Sequence, residues 1–285
     1  MAAEGRSVPT LVVEPSKGWL SLNLGELWEY RELLWFLGIR DVIVRYKQTA
    51  LGPLWAIVQP LSTVLVFTVF FGRVARIPSE GLPYPVFSMA GLVAWNFFAG
   101  SLTRSAGGLL SQASLISKVY FPRLVVPLSS LVVSLVDGAL GLLVLFGLMA
   151  AYSVPVQSGL VALPLVLLFS ATCALGFGLW VSALTVRYRD LHHLLGFMVQ
   201  LWMYATPVIY PTSVVTHRLE ALGLPGWVYG LNPMAGAVTA ARALLIGNAP
   251  FPWALVGVSA ATAAVVLVGG ALFFRRTERT FVDVI

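Results

Sequence analysis

Residues 124–151 read LVVPLSSLVVSLVDGALGLLVLFGLMAA, a run interrupted by one charged side chain, Asp137. A helix of about 20 mainly apolar residues crosses a hydrocarbon core of roughly 30 Å. This stretch is longer than that, so it reads as a transmembrane helix. Five more stretches qualify on either side of it: 54–75, 85–103, 160–184, 194–210 and 252–274. The stretch 194–210 is the shortest. Segments 54–75 and 194–210 contain Pro60 and Pro207. Kinks are expected there, because neighbouring helices can satisfy the backbone carbonyls that proline frees.

Composition agrees with a membrane protein. Of 285 residues, 58% are hydrophobic and 11% charged, and the mean hydropathy is +0.87. Soluble domains carry about 25% charged residues, so this chain has too few polar side chains to cover a soluble surface. It also has too much apolar surface for a disordered chain. The net charge is +6. In an apolar chain this excess reads as basic residues retained on the cytoplasmic side rather than as a nucleic-acid surface. With both ends inside, residues 1–53, 104–123, 185–193 and 275–285 face the cytoplasm and hold fourteen of the eighteen Lys and Arg. Arg73, Arg76, Arg218 and Arg242 remain outside them. Residues 1–26 hold no apolar core long enough for a secretory signal. The expectation is therefore an all-α polytopic membrane protein with six spans and both termini in the cytoplasm. Cys173, the one cysteine, lies in an apolar run and reads as a small buried hydrophobe.

Two pieces outside the spans carry information. In 26–49, ELWEYRELLWFLGIRDVIVRYKQT, the side chains of Trp28, Trp35, Ile39, Val42 and Tyr46 share one helical stripe. Charges occupy most of the remaining circumference. Such a helix lies in the membrane interface and is too charged to cross it. In 211–251, Asn232-Pro233 is a helix start and Gly247-Asn248 a stop. The apolar stretch between them is too short to cross, so 233–246 is expected to re-enter the outer leaflet. Residues 213–222 suggest a second short helix, ended by Gly223 and Pro225.

Several chemistries lack their residues. The sequence contains no Gly-Lys pair and hence no phosphate-binding loop of the G-x-x-x-x-G-K type. No zinc-protease, paired-cysteine or serine-hydrolase motif occurs. His192-His193 has no further ligand nearby in sequence and reads as part of a solvated loop. Asp137 is the one intramembrane carboxylate. It admits a proton-relay reading or a structural one. Relays use several titratable groups in series, so bonding to a polar neighbour, or to Arg104 at the inner end of the second span, fits better.

Residues 40–60, RDVIVRYKQTALGPLWAIVQP, and 113–127, ASLISKVYFPRLVVP, resemble the hallmarks of ABC-2-type permeases of the polysaccharide-export family. That family exports O-antigen, teichoic acid and capsular polysaccharide. The likeness runs from about residue 26 to 275 and includes RYRDL at 187–191, TPVIYP at 206–211 and LNPM at 231–234. It implies the ABC-2 (type V exporter-like) fold: a cytoplasmic segment 1–25, an interface helix 26–49, a six-span domain 50–275 and a tail 276–285. It implies a homodimer above two copies of a separate ATPase subunit, which holds the ATP and Mg. This chain would bind no cofactor of its own, carry out no catalysis and contact no nucleic acid. Outer helices within 213–246 would form an external gate.

The resemblance also assigns roles. The coupling helix falls at 114–123, with Leu115, Ile116, Lys118, Val119, Tyr120, Phe121 and Arg123 meeting the ATPase. Pro122 ends that lever sharply. Arg40, Arg45 and Lys47 stand where the phosphate end of a lipid-linked polysaccharide would arrive from the bilayer. Positive-inside anchoring to anionic lipid is the plainer reading of the same three. Aromatic side chains make up 12% of the chain, and flat apolar rings suit a sliding sugar polymer. Candidates for the pore are Trp95, Phe97, Phe98, Trp202, Tyr204 and Tyr210; lipid-facing or packing positions suit each equally well. Competing readings are an ABC-2 exporter of a drug or small lipid, a membrane-embedded transferase and a proton-driven transporter. The RYKQT-x-LG and FPR elements argue against the first. Missing clusters of acids or histidines argue against the second, and the scarcity of buried titratable groups against the third.

Overall fold

The computed structural model describes residues 24–47, 52–188, 190–247, 251–278 and 281. The segment 1–23, positions 48–51 of the RYKQTALG stretch, Arg189, Asn248 and most of the tail beyond 278 lie outside the described residues. Among the described residues every regular element is helical. Five helices among the described residues are long and apolar enough to cross a membrane. They are α3 (Trp55–Phe67, widening into a π-type stretch over Thr68–Val74), α4 (Tyr84–Ser111), α6 (Val125–Ala151), α7 (Leu163–Arg187) and α11 (Trp253–Thr277). The shorter helices are α1 (Leu24–Glu29), α2 (Arg31–Lys47), α5 (Ala113–Ile116), α8 (Leu191–Ala205), α9 (Thr212–Ala221) and α10 (Pro233–Ile246).

The stretch expected as a continuous helix over 194–210 is shorter than that. α8 has 15 residues, about 22 Å at 1.5 Å per residue. Its end follows from Pro207. The residue before a proline is pushed out of helical geometry, and Thr206 is extended, at φ −105° and ψ 144°. Pro207 therefore stops a helix, whereas Pro60 sits inside α3. The interface stretch is also divided, at Tyr30, into α1 and α2. Backbone bonds from Tyr30 N–H to Glu26 O and from Leu34 N–H to Tyr30 O carry the chain across. Trp28 and Trp35 of the apolar stripe are exposed, while Ile39, Val42 and Tyr46 are half-buried.

α4 is the hub. It packs on α3, α6, α7, α8 and α10, and Phe87, Phe97 and Phe98 are fully buried along it. At 28 residues it is about 42 Å long, so its two ends mark the two ends of the molecule. At its start, Tyr84 Oη donates to Ile209 O at 2.7 Å. At its far end, Arg40 of α2 donates to Gln112 Oε1 at 3.2 Å. α3 is the least covered of the long helices and leaves Leu65, Val66, Phe70 and Val74 exposed. α10 begins at Pro233, where Asn232 Oδ1 accepts from Met234 N–H at 3.2 Å. It stops at Gly247, whose φ of +65° few other residues adopt.

Small residues set the closest crossings, as expected where helices cannot associate by hydrophobic transfer. A Cβ on Gly38 of α2 would lie 2.5 Å from Val132 Cβ of α6. A Cβ on Gly270 of α11 would lie 2.4 Å from the carbonyl oxygen of Gly176 on α7. Gly270→Val therefore has to spread α7 from α11 and is expected to cost about 1–3 kcal/mol. Gly147→Val, where a Cβ meets nothing within 4 Å, should be tolerated. Melting temperatures of the two variants in lipid nanodiscs check the difference. Equal stability would show that the two backbones are not in contact.

Candidate functional site

At the α2 end of the molecule, three helices bring their charges together. Asp137 of α6 accepts from Tyr46 Oη of α2 at 2.5 Å. Its other oxygen pairs with Arg45 of α2 at 3.0 Å and Arg104 of α4 at 3.4 Å. Arg104 also donates to Ser134 Oγ, which in turn accepts from Ser101 Oγ at 2.6 Å. Arg104 Nε is buried without a hydrogen-bond partner among the described residues. Burial, reinforced by the bond to Asp137, pushes the Tyr46 hydroxyl up to about 12. It therefore stays protonated and donates throughout the physiological range.

Arg104 stands between two openings. One cavity, of about 350 Å³, is lined by Arg45, Gln59, Asn96, Phe97, Arg104 and Asp137. The other, of about 330 Å³, is lined by Asp41, Arg104, Gln112, Ser130 and His192. Thr103 and Arg104 line both. Two guanidiniums against one carboxylate leave the first cavity with a net positive wall. Arginine forks match phosphate and carboxylate oxygens, so the arrangement can receive an anion. Arg45 is thus the one member of the basic trio Arg40, Arg45 and Lys47 that faces Asp137. Arg40 is held by Asp41 at 2.6 Å, and Lys47 is exposed.

The stretch 114–123 is helical only over Ala113–Ile116. Ile116 and Phe121 turn into a core with Leu37, Leu109, Leu124 and Phe274. Leu115 is half-buried. Val119 and Tyr120 are exposed, as is Lys118. Arg123 donates to the carbonyl oxygen of Glu278, and its guanidinium lies 5.8 Å from the Phe281 ring centre. The aromatic candidates divide similarly. Trp95 and Phe98 are buried within the subunit. They form an edge-packed cluster with Trp202, whose ring centre is 6.4 Å from Trp95 and 5.0 Å from Phe98. Phe97 lines the first cavity. Tyr210 Oη donates to Tyr204 O at 2.9 Å, and Tyr204 itself is exposed.

Arg242, read in the sequence only as an exception to the charge asymmetry, organises the opposite end. It is buried. Its nitrogens donate to four backbone carbonyls: Phe87 at 3.3 Å, Pro207 at 2.5 Å, Val208 at 2.5 Å and Tyr210 at 3.3 Å. Its guanidinium also lies 3.7 Å from the Phe87 ring centre. The available signal was a lone arginine inside an apolar helix of a span-like composition. Tyr46 was missed because it reads as part of an apolar stripe, although its hydroxyl is what bonds Asp137.

The ABC-2 type transporter family matches residues 32–246, and the chain belongs to that family. Among curated proteins, it is similar to the O-antigen export system permease protein RfbA of Myxococcus xanthus, with 31% identity over 89% of this chain and 95% of that one. It is 26% identical to the O-antigen export system permease protein RfbA of Klebsiella pneumoniae, over 93% of this chain and 98% of that one. The polysialic acid transport protein KpsM of Escherichia coli shares 29% identity over 28% of this chain and 31% of its own length.

Arg242→Lys retains the charge but concentrates its donors on one nitrogen, which cannot reach four carbonyls on two segments. Each buried carbonyl left unpaired costs about 1–3 kcal/mol, so a clear fall in melting temperature in nanodiscs is expected. Wild-type stability in this variant would mean that the four bonds do not hold the segment.

Proposed function

We propose that this chain is the membrane permease subunit of an ATP-driven exporter carrying a lipid-linked polysaccharide across the cytoplasmic membrane. The observation that carries the reading is the Arg45–Arg104–Asp137 cleft, supported by membership of the ABC-2 family and by the names of the relatives. In this reading α8, continued by 206–211, is the sixth crossing, and α9 and α10 form an outer gate. The α2 end lies in the cytoplasm, since Arg40, Arg45, Lys118, Arg123, Arg187, Arg275 and Arg276 gather there. The exposed indoles of Trp28 and Trp35 suit an interface helix.

A phosphate or pyrophosphate linking lipid to sugar carries the charge the cleft lacks. It would take Asp137's place on Arg45 and Arg104. Asp137 then acts as a resident counter-charge that keeps both arginines positioned while the cleft is unloaded. A partner ATPase binds ATP and Mg and drives the cycle. In this reading it docks against the exposed side chains Lys118, Val119 and Tyr120, while Ile116 and Phe121 anchor the loop to the subunit's own core. Two such subunits would enclose the path, with Phe97 and the aromatics near Tyr204 and Tyr210 offering weak, tolerant contacts to sugar rings.

The test reconstitutes the permease with its ATPase. Arg45→Gln and Arg104→Gln should each raise the concentration of lipid pyrophosphate-linked saccharide needed for half-maximal ATPase stimulation by about tenfold, roughly one charge-assisted contact of about 1.4 kcal/mol. Unchanged stimulation would remove the cleft from substrate recognition. Lys118→Glu with Tyr120→Ala should reduce co-purification of the ATPase at normal permease stability. Phe121→Ala should instead lower permease stability by about 3–5 kcal/mol. Full co-purification with the double variant would place the ATPase contact elsewhere.

A further inference from the structure

The end of the molecule opposite the cleft holds a cavity that none of these roles uses. It has a volume of about 500 Å³ and opens between α9, α10 and the first turn of α11. That size falls in the range of small-molecule sites. Its walls carry two carboxylates, Glu80 and Glu220, four hydroxyls, Thr212, Ser213, Thr216 and Thr239, and two indoles, Trp227 and Trp253. Both indoles are exposed. Trp253 is the first residue of the long apolar helix α11, so the cavity sits level with a membrane boundary, where solution reaches it.

The walls are held in place by bonds between elements. Glu80 adopts a left-handed backbone, φ +54°, uncommon for a residue with a side chain. Ser213 Oγ of α9 donates to its Oε1 at 3.2 Å, which fixes that carboxylate against α9. The Thr212 and Thr239 hydroxyls, 2.6 Å apart, join α9 to α10. The one guanidinium in the wall, Arg242, already donates to Phe87, Pro207, Val208 and Tyr210. The cavity therefore presents acceptors, hydroxyls and flat apolar faces.

That combination matches a neutral sugar ring. The apolar C–H face of a pyranose lies on an indole, and its hydroxyls donate charge-assisted bonds to carboxylates. An anionic sugar would instead meet two carboxylates against one guanidinium, a net negative wall that disfavours it. The geometry points to a neutral-saccharide subsite at the α9–α11 mouth, holding a segment of the exported polymer as it leaves. The identity of the occupant as exported polymer rests on the proposed function; the subsite itself rests on the cavity.

The experiment uses the permease–ATPase complex in lipid nanodiscs and saturation-transfer difference NMR. The neutral probes are tetrasaccharides of mannose, galactose, rhamnose and N-acetylglucosamine, and the anionic probe is tetrameric sialic acid. At least one neutral probe should receive saturation, and Glu220→Gln and Trp253→Ala should each weaken its binding about fivefold or more. Both alter exposed side chains and leave the fold intact, which a melting curve verifies. Saturation of none of the four, unchanged affinity in both variants, or preference for the sialic acid probe would overturn the subsite. ATPase stimulation by a lipid-linked polymer is measured in the same discs. Stimulation without saccharide binding removes the subsite and leaves the export reading. Saccharide binding lost in both variants, with no lipid-linked polymer stimulating hydrolysis, removes the export reading and supports the subsite.

Discussion

A buried backbone carbonyl has no water to turn to, so every one released by a broken helix needs a donor from the protein. The arrangement around 206–211 follows from that constraint. Pro207 makes continued helix unfavourable after Ala205, and the chain crosses the next residues without the usual ladder. Arg242 supplies the missing donors from a neighbouring helix and binds Pro207, Val208 and Tyr210 together with Phe87 of α4. Burial of an arginine is costly, and the carbonyl dipoles and the Phe87 face offset part of that cost. The same bonds tie α10 to α4, so the short helix beyond the break has a fixed seat.

The other end meets the same constraint with opposite charges. Asp137 would be expensive alone at that depth. Arg45, Arg104 and Tyr46 converge on it, and each comes from an element that the packing already brings close. Gly38 lets α2 lie against Val132 of α6, which places Arg45 and Tyr46, two turns further along α2, beside Asp137. The ionic cluster thus depends on a glycine that carries no chemistry. Removing one arginine leaves the carboxylate with one guanidinium and the Tyr46 hydroxyl, whereas the packing that placed it is unchanged.

The long helices were legible in the sequence, because hydropathy follows from the solvent. The apolar runs over 54–75, 124–151, 160–184 and 252–274 each contain or closely track a long helix. The Asn232-Pro233 start appears as a helix beginning at Pro233. What was not legible depends on distant contacts. Nothing local distinguishes Phe121, turned inward to Leu37 and Phe274, from Tyr120 beside it, turned outward. Trp95 and Phe98 satisfy a pore pattern and a packing pattern equally, and only the position of Trp202 on α8 decides between them. Arg242 stayed unread because its partners are backbone carbonyls, and a carbonyl leaves no trace in composition.

The two charged centres are joined by one body. α4 carries Arg104 near its end and the Phe87 carbonyl near its start, and past Pro85 it contains no proline at which it would bend. Surrounded by α3, α6, α7, α8 and α10, such a helix can shift as a unit against its neighbours. A shift of α4 at Arg104 is then felt about 25 Å away, at one rise of 1.5 Å per residue, where Phe87 meets Arg242. The carbonyls of Pro207, Val208 and Tyr210 share that guanidinium with Phe87, so displacement of one set of acceptors changes how the donor serves the other. In the exporter proposed above, this would give α9 and α10 a mechanical connection to the Arg45–Arg104–Asp137 cleft.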